Sequence, residues 1–149
     1  MKKVLFVITI ATLWFGCKKS GSSNNNTSII GKWYIQSDYT KVYLNGTATQ
    51  DTTVYLPNHS AYLLFNSNGS GAEVAVDGDA TNYTYRVSDK TLTFTFPKEI
   101  IAPQDTAPPY SESVTISILT SSKLELQGTQ TDTISAGIQT IFQKQELER

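Results

Sequence analysis

Apolar residues in this chain fall on every second position, in short runs parted by turn residues. Thr91-Leu92-Thr93-Phe94-Thr95-Phe96 shows the pattern most plainly, and Val114, Ile116 and Ile118 repeat it. Side chains alternate between the two faces of a pleated strand, so such runs are half-buried β-strands. No window carries a 3.6-residue period, and 20 Thr with 8 Tyr make a β-forming vocabulary. Asn45-Gly46 reads as a type I′ hairpin turn between strands over Ile30–Leu44 and Thr47–Leu56. Pro57-Asn58, the Asn66–Gly71 stretch, Asp77-Gly78-Asp79 and Ser88-Asp89-Lys90 close the strands that follow. The last strand is expected to carry Ile134, Ala136, Ile138 and Phe142 on one face. About eight or nine strands at 8–12-residue spacing define one all-β domain, a barrel or a sandwich.

Three segments divide the 149 residues. Lys2 and Lys3 precede an apolar run of 12, Val4 to Phe15. That run fits the core of a signal peptide and is too short for a membrane-spanning helix. Residues 1–16 are therefore expected to be removed. Gly16-Cys17 ends the run with the chain's only Cys, and resembles a bacterial lipobox, although Trp14 stands where Leu is usual. The resemblance implies that Cys17 is acylated, a palmitate-type modification that holds the protein to a lipid bilayer. Residues 17–28 follow as a polar Lys/Ser/Asn tether, and residues 29–149 form the domain. Relaxed lipoboxes with such tethers resemble those of Bacteroidota lipoproteins, in which acidic residues after the Cys mark surface export. Lys18 and Lys19 have the opposite sign, which places the expectation in the cell envelope, on the periplasmic side of the outer membrane. Loss of Lys2 and Lys3 leaves 10 basic against 13 acidic residues, about −3. No nucleic-acid footprint is present in that balance.

Gly31-Lys32-Trp33 favours a barrel over a sandwich. Preceded by Ile29-Ile30, it resembles the G-x-W that opens the first strand of lipocalins. Tyr62–Gly71, the hairpin Ile118–Leu126 and the closing Ile141-Phe142-Gln143-Lys144 are similar to segments of small bacterial lipocalin-like domains. The resemblance covers about residues 29–144. It implies an antiparallel up-and-down β-barrel of about eight strands, its floor closed by Trp33. In that superfamily an Arg often packs over the Trp. Lys144 and Arg149 are the nearest late basic residues, and the sequence does not choose between them.

Chemistry is sparse. His59, the single His, sits in a turn, and Cys17 belongs to the anchor, so no catalytic residue is expected. Asp77 and Asp79 read as a hairpin turn rather than a calcium site. No metal or cofactor is expected. Binding is the leading expectation: an eight-stranded barrel holds packed side chains or one small ligand. The residues proposed to meet a small, partly apolar ligand are Trp33, Tyr62, Tyr83, Tyr85, Phe94, Phe96, Ile100 and Ile101. Ile35, Leu64, Leu92, Ile116, Ile118, Leu124 and Leu126 share the expected lining. Ile100 and Ile101 lie in Pro97–Pro109, which reads as a long loop too proline-broken for a strand, and which caps the barrel, covers a ligand or meets a partner. The alternative is a filled, non-catalytic barrel acting as a scaffold for an envelope protein partner. Asp51-Thr52-Thr53, Asp105-Thr106-Ala107 and Asp132-Thr133-Ile134 resemble Bacteroidota O-glycosylation sequons, which would modify Thr52, Thr106 and Thr133.

Overall fold

Closure of the sheet on itself fixes the architecture. The computed structural model describes residues 28–97, 99–102 and 105–149, with residues 99–107 described through their backbone alone. The leader, Cys17 and nearly all of the tether lie outside the described residues. Eleven strands run in chain order: β1 (Gly31–Leu44), β2 (Thr47–Tyr55), β3 (Tyr62–Phe65), β4 (Ser70–Val74), β5 (Ala80–Ser88), β6 (Thr91–Phe96), β7 (Glu99–Ala102), β8 (Asp105–Ala107), β9 (Tyr110–Leu119), β10 (Lys123–Ile134) and β11 (Gly137–Glu148). The hydrogen-bonded order is β11-β10-β9-β6-β5-β4-β3-β1-β2, and β11 also pairs with β1. Eight strands thus close an antiparallel up-and-down barrel of lipocalin-like form, with β2 as one extra strand along β1.

Trp33 anchors the lower end. It is fully buried, and its Nε1 donates to the Ile29 carbonyl at 2.6 Å. The Arg149 guanidinium lies 4.1 Å from the centre of the Trp33 ring, a cation–π contact. Arg149 Nη2 also donates to the carbonyls of Ser28 (2.8 Å) and Ile30 (2.6 Å). Arg149, not Lys144, is therefore the cation over the Trp. Gly31 sits at φ +128°, and a Cβ there would stand 3.4 Å from the guanidinium, which accounts for the glycine in the opening motif. Above this floor Ile35, Leu63, Phe65, Tyr83, Leu92, Phe94, Phe96, Ile116, Leu124, Leu126 and Leu147 form one buried cluster.

Two bulges reset which residues face inward. β1 shifts register between Ile35 and Ser37, so Asp38, opposite Gln145, takes the inward face that strict alternation would give its neighbours. β9 shifts against β10 across Ser117. Ile116 stays buried, while Ile118, expected beside it, is 36% exposed and Leu119 packs on the core instead. The expected last strand is split. A turn at residues 135–136 separates β10, which ends at Ile134, from β11, which carries Ile138 and Phe142. The Pro97–Pro109 segment also departs from the expected loop. Its β7 and β8 pair as a two-stranded ladder, Glu99↔Ala107 and Ile100↔Thr106. Pro97, Pro108 and Pro109 flank these strands instead of interrupting them, so none removes a ladder donor.

In the upper half the barrel parts into two walls. Pairing of β9 with β10 ends at Gln127↔Thr115, and β3 pairs with β1 only over Gly31–Tyr34. β2, β1, β11 and β10 rise beyond that level as a four-stranded ribbon. Asn45 ties its two hairpin tips together, donating from Nδ2 to the Ala136 carbonyl and accepting from the Ile138 N–H at Oδ1.

Candidate functional site

Between the two walls lies a cavity of about 340 Å³. β3, β5, β6, β9 and β10 supply its apolar surface through Leu63, Tyr83, Phe94, Phe96, Val114 and Leu126. Thr40, Gln143 and Gln145 add polar groups from the ribbon. Asp38 on β1, Glu73 on β4 and Glu112 on β9 each bring a carboxylate to the same space. Register explains the last two: Glu73 lies opposite inward Leu63, and Glu112 opposite inward Phe94. Gly128 leaves room in the ribbon wall, since a Cβ there would meet Val114 Cγ1 at an ordinary 3.5 Å.

The aromatic wall is held from behind. Tyr83 OH donates to the Leu64 carbonyl at 3.0 Å, and Tyr83 and Phe94 meet edge to face with centroids 4.9 Å apart. The phenol is thus occupied, and burial, followed by the charge of Glu73 and the neighbouring Tyr85, pushes its pKa upward. Glu73 is raised above the ordinary carboxylate range by burial first, then by the negative charges of Asp38 and Glu112. Asp38 is raised by burial, partly offset by a hydrogen bond from Gln145. None of the four ion pairs among the described residues includes Asp38, Glu73 or Glu112. Lys144 borders the cavity, yet its Nζ turns to Glu146 Oε1 at 2.9 Å and lies 3.9 Å from Glu125.

These shifts carry a stability consequence. A carboxyl whose folded pKa is raised favours the folded state while protonated, and that contribution is lost as pH rises through the folded pKa. Glu73→Gln is therefore expected to raise stability at pH 7, by less than about 1 kcal/mol because the group is only partly desolvated. The gain disappears once pH falls below the ordinary carboxylate range. Urea unfolding of both proteins at pH 3 and pH 7 measures it, and a loss of stability at pH 7 would contradict it.

Of the residues picked from sequence, the structure brings Tyr83, Phe94 and Phe96 together on the cavity wall. Trp33 lies below, in the floor. Tyr85 packs against Phe65 with centroids 5.0 Å apart, and its OH donates to the Asn66 carbonyl. Tyr62 faces outward, where the Lys32 ammonium sits 4.0 Å from its ring centre. Leu63 and Phe65 take the inward positions on β3, so Leu64 is not part of the lining. Ile100 and Ile101 are placed in β7 by their backbone, and their side chains lie outside the described residues. Thr52 and Thr133 are exposed on the ribbon strands β2 and β10, and Thr106 lies in β8. His59, at φ +61°, stacks on Tyr34 with ring centroids 4.0 Å apart, outside the cavity. Asp77 accepts a hydrogen bond from the Asp79 N–H within its turn.

Sequence reasoning missed Asp38, Glu73 and Glu112. A signal existed for Glu112, which continues the Val114–Ile116 alternation backwards by one step. None existed for Asp38, because the bulge that turns it inward leaves no mark in the sequence. Comparison with family models, with curated proteins and with solved structures returns no match.

Proposed function

We propose that this is a lipid-anchored envelope protein whose barrel binds, without catalysis, a small and partly apolar ligand in the cavity between its walls. The cavity itself carries the reading. About 340 Å³ falls within the usual range for small-molecule sites, and an apolar wall with a few polar groups is their common make-up. The anchor is Cys17 in the lipobox-like segment, with the tether leading to Ser28. Ser28, where that tether joins the domain, lies at the closed Trp33 end beside Arg149. An outer-membrane lipoprotein facing the periplasm would present the cavity to solutes there.

Gly128→Phe tests the reading directly. The ring would occupy the cavity, and the strand backbone at Gly128 needs no positive φ. Binding of a neutral apolar fluorophore, N-phenyl-1-naphthylamine, is expected to weaken at least about tenfold while circular dichroism stays that of the parent. Unchanged fluorophore binding would contradict a ligand site between the walls.

A second reading, an interaction scaffold, draws on the ribbon. β2 is exposed along its whole length, and Val54, Tyr55, Ile134 and Ile138 stand in solvent. A sheet edge of this kind accepts a partner's strand. Cross-linking in the intact envelope through residues of β2 separates the two readings.

A further inference from the structure

We propose that the cavity selects an organic cation: an ammonium group carried on an apolar body of roughly ten to fifteen non-hydrogen atoms. The proposal rests on the binding reading of the same cavity and names its ligand class.

Charge and shape argue together. Asp38, Glu73 and Glu112 come from β1, β4 and β9 to one open cavity, beside Leu63, Tyr83, Phe94, Phe96, Val114 and Leu126. Each is free of any ion pair among the described residues, and the nearest cation, Lys144, is directed to Glu146. Like charges near one another are costly when they are partly desolvated, as Asp38 and Glu73 are, while Glu112 is exposed. Glu73 is raised by burial first, and the negative charges of Asp38 and Glu112 add to that shift. A bound cation relieves the repulsion, and an anion of equal size worsens it.

The aromatic wall points the same way. Tyr83 spends its hydroxyl on the Leu64 carbonyl, so it offers the cavity a ring and not a donor. Ring faces attract ammonium groups more strongly away from water. A bare metal ion is a poor fit, because among the described residues no group of three His, Cys, Asp or Glu side chains stands close enough to ligate one. The carboxylates are arranged around a space that an apolar body can fill, not around a point.

Three nine-carbon compounds, nonylammonium, nonanol and nonanoate, test the proposal by displacing N-phenyl-1-naphthylamine from the purified protein at pH 7.5. Nonylammonium is expected to half-displace the fluorophore at a concentration at least about tenfold below that of nonanoate, with nonanol between them. The triple variant Asp38→Asn, Glu73→Gln, Glu112→Gln should bring nonylammonium and nonanoate within about twofold of each other. Should the triple variant fail to fold, Glu73→Gln alone is expected to shrink the preference. Nonanoate or nonanol displacing as well as nonylammonium would overturn cation selection and leave the cavity reading standing. A preference that survives the variants would overturn it too. Failure of the fluorophore and all three compounds to bind would sink the cavity reading itself.

Discussion

Trp33→Ala is expected to cost about 3–5 kcal/mol, the usual loss when a large aromatic side chain is cut from a core. Native domains hold only about 5–15 kcal/mol in total, so the variant would be largely unfolded well below the parent's transition temperature. The size follows from how much converges there. The side chain has no exposed surface, its Nε1–H satisfies the Ile29 carbonyl, and its ring carries the Arg149 guanidinium. Arg149 in turn holds the carbonyls of Ser28 and Ile30, so removing the ring also loosens the segment that leads into β1. Arg149→Met should cost less, about 1–2 kcal/mol, because the core beneath stays filled. The double variant should lose less than the sum, since the two side chains share one interaction. Urea unfolding followed by far-ultraviolet circular dichroism measures all three, and a Trp33→Ala loss below about 1 kcal/mol would contradict this account of the floor.

Gly71→Val is expected to destabilise by about 2–3 kcal/mol through overpacking. Gly71 lies in β4 opposite Phe65 and Tyr83. A side chain there runs into the Leu64 carbonyl oxygen and the Tyr83 ring. The carbonyl belongs to the β3 backbone and cannot yield, so Tyr83 must turn away and give up its hydrogen bond to Leu64. Because Tyr83 is part of the cavity wall, fluorophore binding should weaken along with stability. Gly128→Ala is the control: its Cβ meets only Val114 at van der Waals distance, and a change within about 0.5 kcal/mol is expected. Equal losses at the two glycines would show that backbone entropy, not the packing of Tyr83, sets the cost.

Where period-two alternation ran undisturbed, the residues alone placed the strands. β6 matched its expected bounds, and Leu92, Phe94 and Phe96 all turned inward. The Asn45-Gly46 turn appeared with both residues at positive φ, as a type I′ hairpin requires. Opacity began where tertiary pairing overrode local pattern. One inserted residue at Ser117 sent Ile118 outward, and another near Gln36 sent Asp38 inward. In Ala61–Phe65 both faces are apolar, so only pairing with β1 and β4 could show that Leu63 and Phe65 point in. The choice of Arg149 over Lys144 likewise depended on β11 lying against β1, which brings residue 149 back to Trp33. The cavity walls were half legible for the same reason: the aromatic positions follow alternation along β5 and β6, whereas three carboxylates from separate strands meet only once the barrel is closed.

The central claim is that the space between the two walls is a ligand site. Native mass spectrometry of the protein, purified gently from the cells that make it, tests this most directly. A reproducible mass excess, lost on denaturation and absent from Gly128→Phe, is the expected result. A parent and a Gly128→Phe variant that both show no mass lost on denaturation, with no fluorophore uptake by either, would contradict it.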